Sequence, residues 1–244
     1  MELKIGCCGF ARGRKNYHKK FDLVEVQNTF YMPPKSETAR QWKMAAPPNF
    51  EFLVKAWQLI THSPKSPTYR RAKIMIEKDK QDRYGLFRPT KEVLDAWIKT
   101  LEICEVLKAK IVVFQCPASF RPTKENIKNM KVFFSSIERG AMDIAWEPRG
   151  DWPSDVILDI CLDFKLIHCV DPFKDMPLTQ QKAYFRLHGS PPGKTMYNYR
   201  YTKSDLQLLK KKCSGFDEVY CMFNNVFMYD NALEFMDIMG TQPR

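Results

Sequence analysis

VEVQNTFY, residues 24–31, decides how this chain is read. Val24 and Val26 are β-branched and Phe30 and Tyr31 are aromatic, side chains that favour extended backbone. Strand side chains alternate between faces, so Glu25 and Gln27 lie opposite the valines. A strand with one apolar face and one face of acid and amide either borders water or lines a site.

Working outward, seven more short apolar runs share this character: LKIGC (3–7), FLVKA (52–56), KIVVFQ (110–115), DIAWE (143–147), LIHCVD (166–171), AYFRLH (183–188) and VYCMFN (219–224). Helical patterns fill most gaps between them. SETARQWKMA offers Ser36 as an N-cap, and TKEVLDAWIKTLEICEVLK sets Val93, Leu94, Trp97, Leu101 and Cys104 at helical spacing. TKENIKNMKVFFSSI, SDVILDICLDF, TKSDLQLLKKKC and NALEFMDIM complete the set, several with Ser or Thr at the start. Eight alternations of strand and helix in 244 residues predict a TIM-type (β/α)8 barrel. The expectation is one α/β domain over residues 1–244 with somewhat irregular helices. A doubly wound sheet competes, but no glycine-rich phosphate fingerprint follows the first strand.

One connection is long. Residues 63–89, SPKSPTYRRAKIMIEKDKQDRYGLFRP, join the third strand to its helix and carry Arg70, Arg71, Lys73 and four further cations, with Tyr69, Tyr84 and Phe87 interleaved. A long loop after a barrel strand belongs to the face where barrel active sites sit.

The same parity applied to each strand sorts the polar residues. Lys55 opposes Phe52 and Val54, Gln115 opposes Val112 and Phe114, and Glu147 opposes Ile144 and Trp146, with Arg149 just beyond. Arg186 and His188 oppose Phe185 and Leu187, and Asn224 opposes Cys221 and Phe223. All fall late in their strands, and Asp171 and Asn225 join them at strand ends. Unpaired charge inside a closed barrel costs several kcal/mol. The pattern therefore reads as a ligand site at the C-terminal ends of the strands, the alternative being a salt-bridge network that satisfies itself.

Composition narrows the classes. A hydrophobic content of 44% supplies a core, and no apolar run nears the roughly 20 residues that span a bilayer. The N-terminal stretch lacks the apolar segment of a signal peptide, so a cytoplasmic protein without a membrane partner is expected. The eight cysteines follow no metal-ligand spacing and read as core fillers. The formal charge of +11 suits polyanionic partners or, more plainly, a lysine-rich solvated surface.

VEVQNTFY, Trp42, PPNFEFLVKA, ITH, QCPASF, WEPRGDW, FRLHG, YNYRY and FNN followed by Asp230-Asn231-Ala232 together resemble the YecE-like family, domain of unknown function seventy-two. The motifs cover nearly the whole chain. The resemblance implies a TIM barrel and leaves the activity open. The chain departs from the family at Gln27, where Asn is usual, at Pro148, where Phe is usual, and in GCCGF, which replaces a Gly-Thr-Ser-Gly-Trp pattern.

The chemistry of these side chains suits an anionic, polyhydroxylated ligand. Glu25, Glu147 and Asp171 supply carboxylates, His188 a proton shuttle, and Arg149 and Arg186 bidentate forks for phosphate. Gln27, Asn28, Lys55, His62, Gln115, Asn224 and Asn225 complete a binding set. Three carboxylates and two histidines could hold a divalent metal, but four histidines are thin for a multinuclear zinc site, and no cofactor is expected. Two glutamates could form a glycosidase pair, with no separation fixed by sequence. No nucleophile motif supports triad hydrolysis. Two readings follow: a hydrolase or lyase with Glu25 or Glu147 as base, or a non-catalytic nucleic-acid binder. The binder would use the 63–89 loop and YNYRYTK (197–203), with Arg70, Arg71, Tyr199 and Arg200 on its rim.

Overall fold

The computed structural model describes residues 1–190 and 195–241. Eight strands run through it: β1 (Glu2–Cys8), β2 (Leu23–Val26), β3 (Glu51–Lys55), β4 (Ile111–Gln115), β5 (Asp143–Glu147), β6 (Leu166–Val170), β7 (Lys182–Leu187) and β8 (Glu218–Phe223). They are hydrogen-bonded in chain order into a closed barrel. The seven runs outside VEVQNTFY are strands to within one residue at either end, and the strand within it ends at Val26, before helical Asn28–Tyr31; most of the apolar side chains are buried, with Leu3 half-buried.

The helices between are α1 (Arg14–Tyr17), α2 (Asn28–Tyr31), α3 (Ser36–Met44), α4 (Gln58–Thr61), α5 (Pro67–Arg71), α6 (Lys91–Leu107), α7 (Lys124–Ser136), α8 (Ser154–Phe164), α9 (Lys203–Cys213) and α10 (Met228–Met239). Thr90, Thr123 and Thr202 cap α6, α7 and α9 by accepting a backbone N–H, and Asp205 returns the bond to make a capping box on α9. Ser36 is not a cap. Lys35 occupies that position, and the Ser36 hydroxyl instead donates to Glu102, tying α3 to α6. Of the apolar positions expected on α6, Val93, Trp97 and Cys104 are buried while Leu94 and Leu101 are half-buried; Ala96, Thr100 and Ile103 complete the inward face.

The chain divides into two compact units, one of Met1–Val26, Ala46–Phe52 and the residues from Ile167 onward, the other of Gln27–Ala45 and Leu53–Leu166. In the first, Tyr17 stitches two strand ends together: its hydroxyl accepts from the Cys7 N–H at 2.7 Å and donates to the Leu23 carbonyl at 2.9 Å. In the second, Phe87, Phe114, Phe120 and Phe133 are completely buried and pack ring on ring. All eight cysteines are free and buried, as core fillers would be.

The long connection after β3 is a closed excursion. Its return is pinned to α4, where the Gly85 N–H donates to Leu59 O at 2.8 Å and Phe87 N–H to Ile60 O at 2.9 Å. Gly85 has φ +73°, and a Cβ there would lie 2.1 Å from the His62 carbonyl oxygen, so only glycine closes this loop. Among the described residues no helix is long and apolar enough to cross a membrane.

Candidate functional site

In the first unit the polar face expected of β2 and β7 is real, and its charges meet one another. Arg186 Nε donates to Glu25 Oε2 at 2.9 Å and Nη2 to Oε1 at 2.8 Å, a two-point fork with both side chains completely buried. The Tyr184 hydroxyl donates to the same Oε2 at 2.9 Å. Cys8, which stands opposite Glu25 in the β1–β2 register, brings its sulfur to 3.8 Å from Arg186 Nη2. Burial pushes the Tyr184 hydroxyl far above its ordinary range, and the neighbouring Glu25 charge adds to this, so Tyr184 remains a donor. Glu25 therefore accepts three hydrogen bonds in a dry setting, the arrangement a buried carboxylate needs.

The C-terminal ends of β6, β7 and β8 carry a second layer in the same unit. His188 Nδ1 lies 3.0 Å from Asn224 Nδ2. Asp171 accepts the His188 N–H at 3.2 Å and the Phe173 N–H at 3.0 Å, so its two oxygens fix backbone where β6 and β7 end. Asn225 Nδ2 donates to Tyr199 O at 2.8 Å and to Asn231 Oδ1 at 2.9 Å. Asn231, itself completely buried, accepts the Tyr201 N–H and donates to the Tyr201 carbonyl, gripping that loop as a strand neighbour would.

The second unit gathers the rest. Lys55 Nζ donates to Gln115 Oε1 at 2.8 Å and sits 4.0 Å over the Phe30 ring. Arg149 Nε donates to Glu147 Oε1 at 2.6 Å, with Glu147 almost fully buried and the Arg149 side chain 26% exposed. His62 packs edge-on to Phe30, and its Nδ1 lies 2.8 Å from the Thr61 hydroxyl. Burial, then the positive charges of Lys55 and Arg149, bring the His62 pKa down to about 3, so the ring is neutral. Gln27 is half-buried in helical backbone ahead of α2, where strand parity no longer aims its side chain, and Asn28 is exposed.

The expected nucleic-acid rim keeps its cations, and three of its six aromatic rings turn inward. Tyr69 is buried with its hydroxyl on the His62 carbonyl at 3.0 Å, and Phe87 and Tyr201 are also buried. Half-exposed Tyr199 donates to Asp205 at 2.7 Å, and Arg200 is paired with Glu234 at 2.7 Å. Arg71 donates to the Tyr31 hydroxyl at 3.0 Å, while the Arg70 side chain is exposed. A stacking platform needs open ring faces. Tyr69, Phe87 and Tyr201 offer none, whereas exposed Tyr197 and half-buried Tyr84 and Tyr199 keep part of the expected surface.

Residues 10–244 match the family described as "Protein of unknown function DUF72". The chain belongs to the DUF72 family. It is 25% identical to UPF0759 protein YunF of Bacillus subtilis (strain 168), over 93% of this chain and 88% of that protein. Among solved structures it resembles a DUF72 family protein from Enterococcus faecalis V583, with a TM-score of 0.75 and 20% identity over 99% of this chain and 98% of the other. A DUF72 family protein from Thermotoga maritima MSB8 gives a TM-score of 0.70 and 20% identity over 98% and 100%. These likenesses establish the shared barrel.

Against that family background, the residues that sequence reasoning passed over are Tyr184, Asn231 and Thr29. Tyr184 has the parity of Arg186 and could have been placed on the same face. Asn231 lies in the Asp230-Asn231-Ala232 motif, noted for resemblance but not for what its amide holds. Thr29, whose hydroxyl donates to the Lys55 carbonyl at 2.7 Å, gave no periodic signal. Among the described residues of this DUF72 protein, no group of three or more His, Cys, Asp or Glu is arranged to hold a metal ion.

Proposed function

We propose that this DUF72 protein is an enzyme, a hydrolase or lyase, that takes a phosphate-bearing ligand at the cation-rich cluster of its second unit. The observation that carries this reading is Arg149, whose Nε bonds nearly buried Glu147 at 2.6 Å while its side chain is still 26% exposed. Burial first, and then the positive charges of Lys55 and Arg149, lower the His62 pKa to about 3. A phosphate placed in that field is stabilised by the same two charges, whether it belongs to a small molecule or to a nucleic-acid backbone.

In this reading Arg149, partly exposed, meets the phosphate, and Glu147 beside it is the base. Lys55 and Gln115 position the anion from β3 and β4, and neutral His62 offers an imidazole without a competing charge. Glu25, Tyr184 and Arg186 are assigned to holding β2 and β7 in register. Their polar atoms are already engaged with one another, so Arg149 rather than Arg186 takes the clamp role.

Inorganic phosphate and pyrophosphate test the binding half directly. Both are expected to raise the Tm of the wild-type protein and to leave Lys55→Met and Arg149→Met unchanged, since a ligand stabilises only the state that binds it. Equal protection of the variants, or none of the wild type, refutes the site. For the chemical half, Glu147→Gln is expected to lower turnover of any phosphate ester the wild type cleaves by about 10²–10⁴-fold, the usual contribution of a general base.

A further inference from the structure

The connection between β3 and α6 holds a cavity of about 690 Å³ that the chemistry above does not use. Three cations line it, Lys65, Arg70 and Lys73, together with the aliphatic wall of Ile74, Met75 and Ile76. No carboxylate is among the lining residues. Lys65, Arg70 and Lys73 are all exposed and make no ion pair among the described residues. Glu77, the nearest acid along the chain, is turned to Lys80 instead. Met75 is 95% exposed, the most open large apolar side chain described, and it stands beside these charges.

We infer that this groove docks an acidic peptide segment of a partner protein, one that alternates carboxylates with aliphatic side chains. The charge is one-sided, so the partner must bring the negative groups. The wall is aliphatic, so it must also bring apolar surface. Tyr69 reaches the groove, but it is buried and its hydroxyl is tied to the His62 carbonyl, so it presents no open ring for a nucleobase. A lipid surface calls for several protruding apolar side chains, whereas Ile74 and Ile76 are half-buried and only Met75 stands clear. A concave groove with a cationic side and an aliphatic side fits an extended or helical peptide better than either.

Fluorescence anisotropy with a labelled peptide alternating Asp and Leu tests this on the full chain. The expected result is saturable binding that weakens with added salt, falls at least about tenfold in Arg70→Glu/Lys73→Glu, and falls less in Met75→Ser. Lys78→Glu/Lys80→Glu, which changes the same number of charges outside the groove, is expected to bind as the wild type does. Circular dichroism confirms that each surface variant folds. The inference is overturned if the wild type does not bind. It is equally overturned if both double variants lose binding alike, if an Asp–Gly peptide binds equally well, or if an oligothymidylate or phosphatidylserine vesicles bind in preference.

Discussion

Two glutamate–arginine pairs use the same chemistry to opposite ends. Glu25 and Arg186 are separated by 161 residues in sequence, meet in a two-point fork, and are completely buried. Glu147 and Arg149 are separated by 2 residues, are bonded through Nε at 2.6 Å, and leave the arginine side chain 26% exposed. The distant pair closes its own account of charge and can hold strands. The neighbouring pair keeps part of its arginine side chain at the surface. Depth, not residue type, separates the buried pair from the one proposed to meet a ligand.

The sharpest way to break this comparison is to remove one carboxylate at a time. Glu25→Ala strands a buried guanidinium and is expected to cost about 3–5 kcal/mol in urea unfolding. Glu25→Leu combined with Arg186→Met is expected to recover most of that loss, since a well-packed apolar pair often equals a buried ion pair. A Glu25→Ala variant as stable as the wild type would show that the fork is not structural.

Acid titration comes next in size. His62 and His168 are both held neutral in the fold, chiefly by burial, with pKa values lowered from 6.5 to about 3 and about 4. The unfolded chain therefore binds more protons than the folded one below pH about 6.5. Stability is complete above that value and falls as the pH drops through the window toward 4 and then 3. The slope is at most about 1.4 kcal/mol per pH unit for each histidine. His62→Gln is expected to flatten the curve of urea midpoint against pH, and an unaltered slope would mean that His62 is not neutral in the fold.

Asn231→Ala is expected to cost about 1–3 kcal/mol, because the Tyr201 backbone and the Asn225 amide lose partners in a buried place. Hydrogen exchange at Tyr201 should quicken with it, which a remote packing defect would not cause. The smallest effect belongs to the rim. Glu147→Ala removes a nearly buried carboxylate but leaves a partly exposed arginine, and is expected to cost about 1–2 kcal/mol, less than Glu25→Ala.

Much of this was legible in the residues themselves. The alternation in Val24–Gln27 and its seven counterparts gave strand positions because both faces of each strand are constrained, one by the core and one by charge. The Glu147-Pro148-Arg149 spacing put both groups at one strand end, though their pairing was not read from it. Glu25 and Arg186 were placed on the right face, yet nothing local could reveal that they answer each other, since parity orders side chains within a strand and says nothing of partners far along the chain. Ser36 misled for a related reason. A hydroxyl at a helix start has several acceptors within reach, and Glu102, on a different helix, was the one it found. The buried rings of Tyr69 and Phe87 escaped notice because an aromatic beside arginines looks the same in sequence whether it faces in or out.

The pinned return at Gly85 has a consequence for how such a protein diverges. Because His62 and Gly85 already touch, residues 63–84 leave and re-enter the barrel at one point. The entropy of closing a loop changes by only about 0.6 kcal/mol when its length doubles. This stretch can therefore be lengthened, trimmed or exchanged as a cassette, with Gly85 as its clasp. A lineage could acquire or discard binding partners there while the barrel beneath inherits its chemistry unchanged.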